Sequence, residues 1–139
     1  MISQIDHIAV AVEDIDEAAV FFSKVLGLEV SGREDVPEQK TRVAFINIGQ
    51  VRIELVQPMS PDSPVGKFLE KKGQGIHHLA LRTDDINGDL ESMKALGVPL
   101  IDDKPKKGAH GAQIAFIHPK AGHGVLVELC QESSKCAKP

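Results

Sequence analysis

The stretch IDHIAVAVEDI, Ile5 to Ile15, recurs without a gap as IHHLALRTDDI, Ile76 to Ile86. Ile5 stands over Ile76, His7 over His78, Ala9 over Ala80, Asp14 over Asp85 and Ile15 over Ile86. At the same offset VAFIN, Val43 to Asn47, lies over IAFIH, Ile114 to His118. VRIELVQ, Val51 to Gln57, then lies over VLVELCQ, Val125 to Gln131, after a longer turn, HPKAGHG against IGQ. A chain that repeats itself in this way is two copies of one supersecondary unit, and any fold must be built from that unit twice. The copies span about 1–58 and 75–139, and a connector, about 59–74, joins them through the prolines of QPMSPDSP. A brief helix is expected in the connector from Val65 to Lys72.

Both copies read alike. A strand, IDHIAVAV or IHHLALRT, precedes a helix, DIDEAAVFFSKVLG or DINGDLESMKALG. Asp14 and Asp85 suit the helix N-caps, and Gly27 and Gly97 suit the C-terminal ends. Ile15, Ala18, Phe22, Val25 and Leu26 recur at helical spacing, as do Ile86, Leu90, Met93 and Leu96. Three short strands complete each copy, near 28–35, 41–48 and 51–57 in the first and near 98–102, 112–118 and 124–131 in the second. The unit is βαβββ and the fold class α+β, with residues 1–139 forming one domain of two tandem modules.

Charge and composition narrow the function. The 139 residues carry a formal charge of -4 and no basic stripe, which argues against nucleic acid as a partner. No apolar run approaches the roughly 20 residues of a membrane span. MISQIDHIAV lacks the basic and apolar blocks of a secretion signal, so a cytoplasmic location is expected. Cys130 and Cys136 fit neither a disulfide framework nor a zinc or redox spacing. One packed cysteine and one in a polar tail is the simpler reading.

Strand alternation sorts the repeated polar residues by face. Ile8, Val10 and Val12, with Leu79 and Leu81 in the copy, form the apolar face expected under the helices. The other face carries His7, Ala9 and Ala11, or His78, Ala80 and Arg82, and the alanines leave room beside each histidine. His78 thus matches His7, whereas His77 falls on the face of Asp6. A glutamate also recurs inside an apolar strand, Glu54 in VRIEL and Glu128 in VLVEL. A carboxylate there is costly unless it is paired or bound to a metal. The simpler alternative is that the histidines are satisfied core groups and the glutamates pair with arginines. Recurrence of both residue types in both copies favours a metal site instead. Two imidazoles and two carboxylates without a thiolate suit Zn²⁺, Co²⁺, Mn²⁺, Ni²⁺ or Fe²⁺.

Paired βαβββ modules with such residues on their strands resemble the vicinal-oxygen-chelate superfamily of glyoxalases, bleomycin resistance proteins and dioxygenases. Within it, IDHIAVAVEDIDEA, IHHLALRTDDI and GAHGAQIAFIHPKAGHGVLVEL resemble the methylmalonyl-CoA epimerases, over about residues 4 to 132. The resemblance implies one curved mixed sheet around a metal site, with His7, Glu54, His78 and Glu128 as ligands of a divalent ion such as Co, Zn, Mn or Ni. It implies an acyl-CoA substrate, a homodimer and abstraction of the C2 proton; because the two repeated carboxylates come from opposite copies, Glu54 and Glu128 are each expected to serve as a base, one per face of C2, as well as a ligand. His110 and Lys120 fall in stretches resembling the epimerases and are candidates for holding substrate. Lys104, Lys106 and Lys107, in the charged loop DDKPKKGAHGA, are candidates for CoA phosphates, and a solvated loop explains them equally well. His118 and His123 read as turn residues. Some members carry a further glutamate on the strand after their PEQ; Val43 stands there in this chain, and valine cannot move a proton. The rival readings are a glyoxalase I-type isomerase, an extradiol-type dioxygenase using His7, His78 and Glu128, and a non-enzymatic small-molecule-binding protein of the same fold.

Overall fold

The computed structural model describes residues 1–133, so Cys136 and the polar tail lie outside the described residues. The chain divides into two units: His7–His77, and Met1–Asp6 with the chain from His78 onward. Each unit is a mixed sheet with a helix packed on it, so the fold is α+β with a βαβββ order in each half.

In the unit His7–His77, β1 (Ile2–Ala11, its later part) leads into α1 (Ile15–Val20), and β2 (Val30–Val36), β3 (Thr41–Ile48) and β4 (Val51–Pro58) follow. The strands order as β2-β3-β4-β1, with β1 parallel to β4 and the other pairs antiparallel. Asp14 caps α1, its side chain accepting from the backbone N–H groups of Asp16 and Glu17. The helix does not end at Val20. Phe21–Val25 continue it as a π-helical turn in which the Leu26 N–H donates to the Phe21 carbonyl, and Gly27 then takes φ 72. This widened turn explains a difference from the helical spacing: Val25 and Leu26 are 69% and 50% exposed. Val12, Ile15, Ala19, Ala44, Ile46 and Leu55 form the core under the helix, with Val10, Phe22 and Ile53 packed against it. After β4, Ser63 caps α2 (Pro64–Lys72), which has proline in its first turn where the missing N–H costs nothing.

In the other unit β5 (Gly75–Thr83) precedes α3 (Ile86–Ala95), capped by Asp85 and followed by Gly97 at φ 75. Then come β6 (Lys106–Lys107), β7 (Gln113–Ile117) and β8 (Val127–Gln131), ordered β5-β8-β7-β6. Again the first strand is parallel to the last and the rest are antiparallel. Ile86, Leu90, Ala115, Ile117 and Leu129 form this core, while Leu96, past the helix end, is 81% exposed.

The strand expected near 98–102 is reduced to a single bridge between Leu100 and Ile117, and the pairing strand falls on Lys106–Lys107 instead. Pro99 lacks a ladder N–H. Ile101 and Asp102 both donate their N–H groups to the Phe116 carbonyl, and Asp102 Oδ2 accepts from the Phe116 N–H, so a side chain substitutes for part of a ladder. The repeated glutamines also find their purpose here. Gln57 Oε1 accepts from the Ile15 N–H and Gln131 Oε1 from the Ile86 N–H, tying the last strand of each unit to the start of its helix. No helix among the described residues is long and apolar enough to cross a membrane.

Candidate metal centre

Parallel register brings each histidine to its glutamate. In one unit Ala9 pairs with Glu54, and His7 stands two residues earlier on the same face. In the other Ala80 pairs with Glu128, and His78 stands two residues earlier. Both alanines are wholly buried, and their small side chains let the imidazole lean along the strand toward the carboxylate. His7 Nδ1 lies 3.3 Å from Glu54 Oε2, and His78 Nε2 lies 3.6 Å from Glu128 Oε2. All four residues are buried, between 3% and 7% exposed.

Those separations suit a shared cation. Two ligands bound at about 2.1 Å to one ion stand roughly 3 Å apart. His7 with Glu54, and His78 with Glu128, each belong to a cluster of ligand atoms within 4.8 Å of one another. Nitrogen and carboxylate donors without sulfur fit a borderline divalent ion. Chemically, such a pair can hold a metal, accept a proton or orient a polar substrate.

Aromatic and charged neighbours set the surroundings. The His78 ring meets Phe116 edge to face at 5.2 Å between centroids, and Phe116 pairs with Glu128 across β7 and β8. Lys106, half-buried, places Nζ 5.1 Å from the Phe116 ring and 3.1 Å from Asp102 Oδ2. Arg52, which pairs with His7 in the β1–β4 register, donates from Nη2 to Glu54 Oε2 at 2.9 Å and lies 5.8 Å from the Phe45 ring centroid. The sequence reading passed over Arg52, although its spacing of two from Glu54 puts it on the same face. An arginine partner for Glu54 was the simpler alternative to a metal, and it exists together with the histidine.

His77 goes elsewhere. It is half-buried against Phe68 of α2, with ring centroids 4.9 Å apart, and burial pushes its imidazole down to about 4. Asp6 is fully buried and accepts from Arg82 Nε and Nη2 at 2.9 and 2.8 Å, while Arg82 also reaches Glu132. This ion-paired link went unseen in the sequence because its members stand 76 residues apart. His110 sits in an exposed turn at φ 58, and exposed Lys120 donates its backbone N–H to His118 Nδ1. His123, at φ 56, occupies a turn.

The profile of the Glyoxalase/Bleomycin resistance protein/Dioxygenase superfamily matches residues 6–116. The chain belongs to this superfamily. It is 47% identical over 129 residues to the uncharacterized protein YqjC of Bacillus subtilis, covering 93% of this chain and 92% of that one. It is 39% identical over 131 residues to the mitochondrial methylmalonyl-CoA epimerase of Homo sapiens, covering 94% of this chain and 74% of that protein. Among solved structures, a variant of Streptomyces coelicolor methylmalonyl-CoA epimerase in complex with 2-nitronate-propionyl-CoA superposes with a TM-score of 0.92 at 37% identity. That match covers 96% of this chain and 97% of that one. The likeness to the epimerases, which are isomerases, therefore spans nearly the whole chain.

Proposed function

We propose that this protein interconverts the two C2 epimers of methylmalonyl-CoA, using a divalent ion held by His7, Glu54, His78 and Glu128. The observation that carries the reading is the same buried imidazole–carboxylate pair, in the same register, in both units. Nitrogen and carboxylate donors that recur, buried, at repeat-related positions make the donor set of a divalent ion, and Arg52 offsets only part of the cost of burying Glu54. Whole-chain likeness to epimerases, one of them bound to an acyl-CoA analogue, supplies the substrate class.

The C2 proton lies between a thioester carbonyl and a carboxylate, so its loss gives an enolate. A bound divalent ion supplies Lewis-acid stabilisation of that negative charge. His7 and His78 act as neutral donors that fix the site. Glu128 takes or returns the C2 proton on one side, a role worth about 10²- to 10⁴-fold for a well-placed base. Glu54, already receiving Arg52 and flanked by His7, serves first as a ligand. His110 and Lys120 contact the substrate from their turns, and Lys106 is the loop lysine best placed to meet an anionic group, because it is anchored over Phe116. The working form is a cytoplasmic homodimer, and the metal is Co, Zn, Mn or Ni.

Elemental analysis of the purified protein, combined with an epimerase assay on single epimers of methylmalonyl-CoA, tests this reading. About one divalent ion per chain and rapid loss of optical purity are expected. A metal-free protein that leaves both epimers unchanged would sink it.

A further inference from the structure

Inversion at C2 needs one group to remove a proton and a second to return one on the opposite face. We propose that Glu34 is one of these two acid–base groups, an inference that rests on the epimerase reading.

Register and alternation place Glu34 on the face that carries His7 and Glu54. Arg33, its neighbour on β2, pairs with Ala44 of the helix-packed core, and its Nη2 lies 2.6 Å from Asp16 Oδ1 on α1. Glu34 therefore points away from the helix. It pairs with Val43 on β3, Val43 with Val56 on β4, and Val56 with Ala11 on β1. Glu54 stands in the adjacent cross-strand row, with Phe45 and Gly32 on one side and Ala9 on the other. Two strand spacings and two residues of rise put the Cα atoms of Glu34 and Glu54 roughly 12 Å apart. Both side chains stand on one sheet face, with Val43 and Phe45 of β3 in the rows between them.

The cross-strand row beside Glu34 is apolar. Val43, Val56 and Ala11 are 4%, 3% and 0% exposed, and Gly32 contributes no side chain. A carboxylate beside such apolar groups is met by little competing water. Glu34 is half-buried, whereas Arg33, Asp35 and the turn residue Glu38 are exposed. Glu34 thus supplies the carboxylate that the apolar Val43 does not.

In the step assigned to it, the C2–H bond breaks, the proton passes to the Glu34 carboxylate, and the electron pair moves into the thioester enolate. C2 then takes a proton on its other face from a different group, and the pair returns to the new C–H bond. Nothing is oxidised or reduced, and the reverse sequence serves the other epimer.

The test uses full-length metal-loaded protein, wild type beside Glu34→Gln and Glu34→Ala, with each epimer incubated separately in deuterated solvent. Metal content and circular dichroism are recorded on the same samples. Both variants are expected to keep wild-type metal content and fold, to epimerise about 10²- to 10⁴-fold more slowly, and to wash deuterium into C2 of one epimer only, without inversion. Epimerisation by Glu34→Gln within about threefold of wild type overturns the assignment, as does loss of metal in parallel with activity. If wild type itself exchanges no C2 proton, the epimerase reading has failed and this inference falls with it. A failure confined to the variants leaves that reading standing.

Discussion

Gln131 Oε1 lies 2.8 Å from the backbone nitrogen of Ile86 and accepts its N–H, a residue that is itself wholly buried. The first four N–H groups of a helix have no partner within it, so this contact satisfies a donor that water cannot reach. Replacing Gln131 by Leu keeps the volume and strands the donor. A loss of about 1–3 kcal/mol is expected, measurable as a lower midpoint in urea with an unchanged slope. Gln57→Leu should behave alike, through the Ile15 N–H. Unchanged midpoints in both variants would show that the glutamines recur without a stabilising role.

The two adjacent histidines should separate cleanly. His78→Ala is expected to lower metal content well below one ion per chain, because His78 lies 3.6 Å from Glu128. His77→Ala should leave metal content nearly intact, since His77 packs on Phe68. Equal metal loss in the two variants would contradict the face assignment.

Glu54→Gln tests whether Glu54 moves a proton or only holds the ion. An amide oxygen can still bind a metal, so the variant should retain one ion at saturating metal, with affinity reduced as the charge is lost. Epimerisation is expected to persist at saturating metal. A large fall in epimerisation at full occupancy, with one-sided deuterium exchange retained, would make Glu54 a base as well.

Removing the ion with a chelator should leave the fold in place, because each unit has its own apolar core under a helix. Turnover should vanish and return on adding a divalent ion, and melting temperature should rise with ion concentration as for any ligand bound only by the native state. Full turnover in a sample verified as metal-free would refute the proposed chemistry.

Much of this was readable before any coordinates. The repeat predicted βαβββ twice, and the face assignments of His7, His78, Glu54 and Glu128 needed only strand period. Element boundaries were harder where side chains replace backbone pairing. Asp102 does so beside Pro99, which moved the expected strand at 98–102 to Lys106–Lys107. Arg52 was legible in principle, two residues before Glu54. The Asp6–Arg82 pair was not, because nothing local in a sequence joins residues 76 positions apart. Glu34 required the β2–β3 register, which shifts between Val30 and Gly32 and so cannot be read by counting.

The π-helical turn at Phe21–Val25 bears on how the two copies have diverged. Ile15 and Ile86 occupy equivalent places, as do Gly27 and Gly97, yet the first pair of landmarks encloses one residue more than the second. The closing bonds show where it went. The Val98 N–H reaches back to the Met93 carbonyl, while the corresponding Leu28 N–H reaches back to Phe22, one residue further. The surplus residue has been swallowed inside the helix as a wider loop of backbone, so Phe22 and Leu28 both still reach the core. The π-turn thus absorbs a one-residue difference in length between the twins, which the capping aspartate at one end and the glycine at the other do not register.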